Sequence, residues 1–322
     1  MSMMTYMEGI REGMSIRMRQ DPNVVLFGED VGAFGGCFGV TAGMFEEFGP
    51  ERVRDTPISE GAIMGCAVGA AATGLRPIAE LMFCDFMTVG MDQLVNQAAK
   101  MRYMFGGKIS MPMVVRMPAG AGTGAAAQHS QSLEAWATHV PGLKVVYPST
   151  AEDALGLMLS AIDDDNPVVY FENKLIMGMK SEVTSLEPIP LGKGKIVREG
   201  SDVTVITYSR QVFDALKAAE ELAKEGIELE VIDLRSLYPL DKEIIAQSLS
   251  KTHHAIVLTE EVKRGGYGGE ISAIIGEEMF DYLDAPVIRI GALNTPVPFA
   301  PNLEQYYMPN EKDVIAAVRK MG

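Results

Sequence analysis

The sequence predicts an α/β protein made of two parallel-sheet domains, and three observations carry that prediction. Short apolar runs bounded by Gly, Pro and Asp alternate with longer segments of helical period, the pattern of parallel strands covered by helices. The length of 322 residues fits two domains, at roughly 100–200 residues each. Between about Ser181 and Gly200 the alternation gives way to Pro188, Pro190, Gly192 and Gly194, a composition typical of a linker. The domains are therefore placed at 1–185 and 201–322, joined by a linker over 186–200.

The elements follow in order. The first twenty residues set Glu8, Arg11, Glu12, Arg17 and Arg19 in a rhythm of Met and Ile, which reads as an amphipathic helix rather than a signal peptide. Val24 to Phe27 reads as a strand ending in Gly28-Glu29-Asp30. Ser59 before Glu60 reads as the cap of a Gly/Ala-rich helix running to about Gly74. Pro77 to Phe83 is a strand, Asp85 to Phe105 one long helix, and Met113 to Met117 and Lys144 to Val146 further strands. Thr150 caps a helix ending in Asp163-Asp164-Asp165, before strand Val168 to Phe171. The second domain repeats the rhythm: strand Val203 to Thr207, helix Gln211 to Glu225, strand Leu229 to Leu234, helix Asp241 to Ser250, strand Ala255 to Thr259, helix Gly269 to Leu283 and strand Val287 to Ile290. A final helix is expected over Asn310 to Met321.

Composition excludes several classes of function. Lys and Arg number 28 against 43 Asp and Glu, a net charge of −15 that repels a phosphate backbone, and no basic patch offsets it, so a nucleic-acid partner is not expected. The longest nearly uncharged stretch, Gly61 to Leu75, falls short of the ~20 residues a membrane helix needs. Cys37, Cys66 and Cys84 are too few and too widely spaced for a disulfide framework or zinc cluster, and each is expected as a small buried hydrophobe. Their presence as free thiols suits a reducing compartment and a cytoplasmic location. His129, His139, His253 and His254 form no familiar metal-ligand spacing.

The glycine-rich stretch from Ala119 to Ala127 follows a strand, so a dinucleotide fingerprint must be tested against it. Gly122, Gly124 and Ala127 match its letters, but the acidic residue expected about 20 positions on is missing. No P-loop pattern exists either. His129 stands at the end of this loop among Gln128, Ser130 and Gln131. It fits a structural histidine, or one placed by a flexible loop to exchange protons with a ligand. Glu60 fits a carboxylate complementing a helix dipole, or a functional group among the apolar neighbours Ile58, Ala62 and Ile63. Phe86 by itself reads as core.

Together these pieces resemble one family. Asp55-Thr56-Pro57-Ile58-Ser59-Glu60-Gly61, Arg76-Pro77-Ile78-Ala79-Glu80 with Asp85-Phe86, and Gln128-His129-Ser130-Gln131-Ser132-Leu133-Glu134-Ala135-Trp136 are similar in order and spacing to the β subunit of the thiamine-diphosphate-dependent component of 2-oxoacid and acetoin dehydrogenase complexes. The resemblance continues through Pro141 to Val146, Asp164 to Val169 and Thr295 to Phe299, so it covers essentially the whole chain. It implies a pyrimidine-binding thiamine-diphosphate fold followed by a transketolase-type C-terminal domain. It also implies that Glu60 hydrogen-bonds a ring nitrogen of the cofactor's aminopyrimidine, and that proton movement there activates the thiazolium carbon. Phe86 falls on the position that packs against the aminopyrimidine, and His129 on the one that contacts substrate or lipoyl group during acyl transfer. Met113, Ala161, Ile162, Asp164 and Asn166 match positions that hold a structural potassium ion, several through backbone carbonyls; Asp164 equally fits a solvated helix end.

The family anchors the cofactor's diphosphate through magnesium on a Gly-Asp-Gly motif, and no Gly-Asp-Gly occurs in this chain. A diphosphate needs neutralisation by metal, helix N-terminus or basic loop. The resemblance therefore implies an α subunit that binds magnesium and completes the site, in an assembly of two α and two β chains that serves a lipoyl-bearing acyltransferase core. Ser132-Leu133-Glu134-Ala135-Trp136 and Glu172-Asn173-Lys174-Leu175 resemble the acetoin enzymes more than the pyruvate ones, whereas Ala125-Ala126-Ala127-Gln128 resembles pyruvate dehydrogenases. A non-catalytic scaffold is the rival reading, against which the joint presence of Glu60, Phe86 and His129 argues.

Overall fold

The computed structural model describes residues 2–321. The chain divides into two compact units, one ending at Ala119 and resuming over Trp136–Leu191, the other comprising Gly120–Ala135 and everything from Gly192 onward. The glycine-rich stretch thus packs with the second unit, although it lies between two strands of the first in the chain.

The first unit runs β1 (Ser2–Thr5), α1 (Tyr6–Gln20), β2 (Val24–Glu29), α2 (Met44–Phe48), β3 (Val53–Thr56), α3 (Glu60–Ala72), β4 (Arg76–Glu80), α4 (Ala99–Met104) and β5 (Val114–Ala119). The short α5 (Glu134–Thr138) spans the point where the chain re-enters this unit, followed by β6 (Lys144–Val146), α6 (Ala151–Asp163), β7 (Val168–Asn173) and β8 (Lys180–Val183). Six of these strands form a parallel sheet in the order β6-β7-β5-β4-β2-β3. Burial on both faces explains why they read as near-continuous apolar runs. Strands β1 and β8 make a separate antiparallel pair, Ser2 opposite Val183.

Local chemistry sets the helix ends. Thr5 and Glu8 form a reciprocal capping box on α1, and the Thr150 hydroxyl accepts the Asp153 N–H at the start of α6. Helices α1 and α6 pack closely because Gly9 lacks a side chain: a Cβ there would stand 2.3 Å from the Ala151 carbonyl oxygen.

The long helix expected over Asp85 to Phe105 is broken. Cys84–Thr88 is a single 3₁₀ turn, Gln93–Ala98 a π-helical turn, and only Ala99–Met104 is regular. Gly90, between the two turns, lies close against α3, where a Cβ would stand 2.6 Å from Met64 Cγ. The expectation for the cysteines also needs correcting. Cys84 is buried, but Cys37 and Cys66 are exposed. In α3 the buried face is Ile63, Met64, Ala67, Val68 and Ala71, which leaves Cys66 on the opposite side.

The second unit contains β9 (Lys195–Arg198), β10 (Val203–Thr207), α7 (Gln211–Ala223), β11 (Leu229–Asp233), β12 (Ser236–Tyr238), α8 (Lys242–Thr252), β13 (Ala255–Val262), α9 (Tyr267–Glu278), β14 (Ile288–Ala292), α10 (Pro301–Tyr307) and α11 (Glu311–Val318). Its sheet has the order β14-β13-β10-β11-β9, parallel except for β9. Val205, Leu222, Val231, Leu258 and Val314 lie in one buried cluster that joins the sheet to α7 and α11. Among the described residues no helix is long and apolar enough to cross a membrane.

Candidate active site

In a parallel sheet the loops at the carboxyl ends of the strands are where ligands bind. In the first unit the carboxyl end of β2 presents Glu29, and the chain returns through β3 to open α3 at Glu60. Glu29 and Glu60 are 6% and 9% exposed. Glu29 accepts the Ser59 backbone N–H, and its Oε1 has no hydrogen-bond partner. Burial, then the negative charge of Glu60, then that of Asp30, push the Glu29 carboxyl above its ordinary range. A buried carboxyl with a raised pKa and an unpartnered oxygen is suited to a hydrogen bond with a ligand. Ser59, expected as the α3 cap, instead donates its hydroxyl to the Pro57 carbonyl at 2.9 Å and makes no side-chain cap. Of the apolar neighbours expected around Glu60, Ile63 is buried but Ile58 and Ala62 are exposed.

Phe86 lies in the 3₁₀ turn after β4 and is half-buried. Its ring meets Phe83 edge-to-face, with centroids 6.1 Å apart, and Phe83 meets Phe38 likewise at 5.7 Å. The Lys174 ammonium stands 5.2 Å from the Phe83 centroid. The same segment is fixed against α3, because the Cβ position of Gly90 is 3.4 Å from the Glu60 carbonyl oxygen. Gly90, four positions after Phe86, thus holds the segment that carries Phe86 against α3 at Glu60.

Within the sheet, β4, β5 and β7 bring together a group that sequence reasoning missed. Arg116 of β5 is fully buried between Glu172 of β7, which takes two hydrogen bonds at 2.6 and 2.7 Å, and Glu80 of β4. Glu80 and Arg116 are direct neighbours in the β4–β5 register, and that pairing of opposite charges within apolar strands was the available signal. Removing one partner of such a group leaves an uncompensated buried charge, at a cost of about 3–5 kcal/mol.

The five residues expected to hold potassium gather around the end of α6. The Ile162 and Asp164 carbonyls accept hydrogen bonds from Arg76 at 2.9 and 3.3 Å, and the Met113 carbonyl accepts from Val168 N–H at 2.9 Å. The Asp164 carboxylate accepts from both the backbone and side chain of Asn166 and pairs with Lys144; Ala161 is buried beside them in the helix. Among the described residues no group of three or more His, Cys, Asp or Glu side chains is placed to hold a metal ion.

In the second unit His129 is half-buried, and its backbone N–H donates to the Ala126 carbonyl at 3.3 Å. A cleft of about 360 Å³ opens beside the same segment, lined by Ala127, Gln131, Ser132, Arg264, Asn294 and Tyr307 among others, a volume suited to a small ligand. Behind it Glu134 accepts the Tyr208 hydroxyl at 3.0 Å, and burial pushes its carboxyl up to about 7. Glu261 accepts the Gly268 N–H at 3.1 Å and is raised by burial and by the charge of Glu134. The Oε2 atoms of both have no partner.

Carboxylates at the strand ends of one parallel-sheet unit, followed by a second such unit, are the design of transketolase-type thiamine-diphosphate proteins. The transketolase pyrimidine-binding domain matches residues 2–179 and the transketolase C-terminal domain residues 192–314. A solved split-gene transketolase, described as an inactive β4 tetramer, has the same fold, with a TM-score of 0.82 over 98% of both chains at 24% identity.

Within that class the chain belongs to the family of acetoin and 2-oxoacid dehydrogenase β subunits. It is 50% identical to the β subunit of acetoin:2,6-dichlorophenolindophenol oxidoreductase from Bacillus subtilis, over 98% of this chain and 96% of that one. It is 48% identical to the pyruvate dehydrogenase E1 component subunit beta of Rickettsia felis, over 98% of each. Identity to the 2-oxoisovalerate dehydrogenase β subunit of Bacillus subtilis is 46%, over 100% of this chain and 99% of that one.

Proposed function

We propose that this chain works with an α subunit as a thiamine-diphosphate-dependent dehydrogenase component that cleaves a carbon–carbon bond next to a carbonyl and passes the acyl unit to lipoamide, with acetoin preferred over pyruvate. The observation that carries the reading is the buried Glu29–Glu60 neighbourhood, with the open Glu29 Oε1 and the half-buried Phe86 ring on a segment packed against Glu60. An aminopyrimidine offers a flat ring for Phe86 and a basic ring nitrogen for a carboxyl, so the residues present fit that part of the cofactor. When bound, thiamine diphosphate supplies the carbon nucleophile and the electron sink for bond cleavage.

Glu60 holds a proton on its carboxyl oxygen and exchanges it with the ring nitrogen. Glu29 stands beside it with its Oε1 unpartnered. Phe86 orients the ring, and its own orientation is set by Phe83. His129 moves a proton at its imidazole during acyl transfer, a role that typically contributes ~10²–10⁴-fold. Magnesium is assigned to the α subunit, since this chain has no Gly-Asp-Gly. Potassium is assigned a structural place at Met113, Ala161, Ile162, Asp164 and Asn166. The lipoyl-bearing acyltransferase core is the assigned partner and the cytoplasm the assigned location.

The acetoin preference rests on the local resemblance of Ser132 to Trp136 and Glu172 to Leu175 to acetoin enzymes. Reconstituting the chain with its α subunit and assaying acetoin and pyruvate side by side with an artificial electron acceptor tests it. Faster turnover of acetoin is expected, and turnover of pyruvate alone would reassign the substrate.

A further inference from the structure

The glycine-rich stretch has the backbone of an anion cradle. Gly120, Gly122, Gly124 and Ala126 have φ of +93°, +100°, +67° and +60°, alternating along the chain with residues of ordinary hand. Such alternation turns successive N–H groups toward one side, the geometry that holds phosphates in nucleotide-binding loops. Here the anions are two of the protein's own carboxylates. Gly122 N–H donates to Glu304 Oε1 at 2.6 Å and Gly124 N–H to Glu304 Oε2 at 3.0 Å. Ala121 N–H donates to Glu260 Oε1 at 2.8 Å, while Arg210 occupies Glu260 Oε2 at 2.9 Å. Glu304 is 3% and Glu260 4% exposed.

The two carboxylates differ in one respect. Glu260 has a cationic partner in Arg210, so part of its charge is matched without the loop. Both oxygens of Glu304 are committed to the loop. A buried carboxylate is costly unless its charge is met by hydrogen bonds, so Glu304 and the loop stabilise each other: opening the loop strips Glu304 of its donors. The loop leads directly to His129, whose backbone N–H closes onto Ala126, the last residue of the alternating run.

We propose that Glu304 is a positioning residue for His129: its carboxylate is the anion around which residues 120–126 fold, and it thereby fixes the starting point of the segment that delivers the imidazole. The proposal rests on the acyl-transfer role given to His129 above. It assigns a function to α10, a seven-residue helix that buries Glu304 and Tyr307 and exposes Leu303 and Tyr306.

The test uses the full chain assembled with its α subunit and compares Glu304→Gln and Glu304→Asp with wild type. Hydrogen–deuterium exchange followed by mass spectrometry reads peptides covering 119–131 and, as a folding control, 151–163. In Glu304→Gln the amide nitrogen cannot accept, so the 119–131 peptide should exchange about tenfold faster or more, with the control unchanged and Glu304→Asp intermediate. Acyl transfer to lipoyl domains should fall more than turnover with an artificial acceptor. Combining Glu304→Gln with His129→Ala should cost little beyond His129→Ala alone. Unchanged exchange at 119–131 overturns the proposal, and so does faster exchange with normal lipoyl transfer in a background where His129→Ala abolishes it. If His129→Ala itself leaves transfer intact, the role of His129 fails instead, and the amide exchange alone then decides whether Glu304 holds the loop.

Discussion

Two sets of buried carboxylates, one in each unit, are used in opposite ways. In the first, Glu29 at the end of β2 keeps an oxygen without a hydrogen-bond partner beside Glu60. In the second, both oxygens of Glu304 and one of Glu260 are occupied by backbone N–H groups of a single loop. An open buried oxygen carries a desolvation cost that a ligand can relieve, whereas a filled one is already part of the scaffold. On the reading proposed above, the difference separates a place for a ligand from a place that positions His129, although a bare sequence shows only Glu at all four positions.

The comparison breaks if the histidine carried by the filled-carboxylate loop proves dispensable. His129→Ala should slow acyl transfer to lipoyl groups by ~10²–10⁴-fold while leaving cofactor affinity of the assembled complex near wild type; stopped-flow transfer and calorimetry measure the two separately. Equal losses in both would make the loop a binding element instead.

A smaller effect is expected at Glu134, which sharpens the comparison because it is an open carboxyl inside the second unit. Its pKa rises from 4.5 to about 7, chiefly through burial, with the charge of Glu260 adding to it. A carboxyl that binds its proton more tightly when folded favours the fold fully below pH 4.5, and that contribution is lost as pH rises to about 7. Glu134→Gln, neutral throughout, should therefore melt higher than wild type at pH 8, with the gap closing by pH 5. A gap that is constant with pH would mean Glu134 is not the titrating group. Smallest of all is the effect of potassium. Replacing choline by potassium should raise the melting temperature by about 2–4 °C per kcal/mol of binding, and Asp164→Ala should erase the difference. No rise would remove potassium from that helix end, where Arg17, Arg76, Arg102 and Lys144 already stand.

Much of the fold was legible because burial on both faces makes strands into apolar runs with sharp ends. Lys144–Val146 and Val203–Thr207 have the boundaries expected of them. The small antiparallel pair β1–β8 and the edge strand β9 were not legible, because exposed or short strands lose that pattern. The break before Ala99 was hidden because helical periodicity persists through the 3₁₀ and π turns. Glu60, Phe86 and His129 came from family resemblance, whereas Glu29 was read only as the end of a strand. Glu304 left no trace at all, since its partners are backbone amides about 180 positions away, and no side-chain spacing records such a bond.

The central claim is that the open carboxyl neighbourhood of the first unit exchanges a proton with the cofactor. Hydrogen–deuterium exchange at the thiazolium carbon, measured in the fully assembled complex with Glu60→Gln, tests it most directly. An amide keeps the shape of Glu60 but cannot exchange the proton, so the account predicts greatly slowed exchange with the melting temperature little changed. If Glu60 only complements the dipole of α3, the substitution should cost ~0.3–1 kcal/mol of stability and leave exchange at the wild-type rate, and that result would contradict the account.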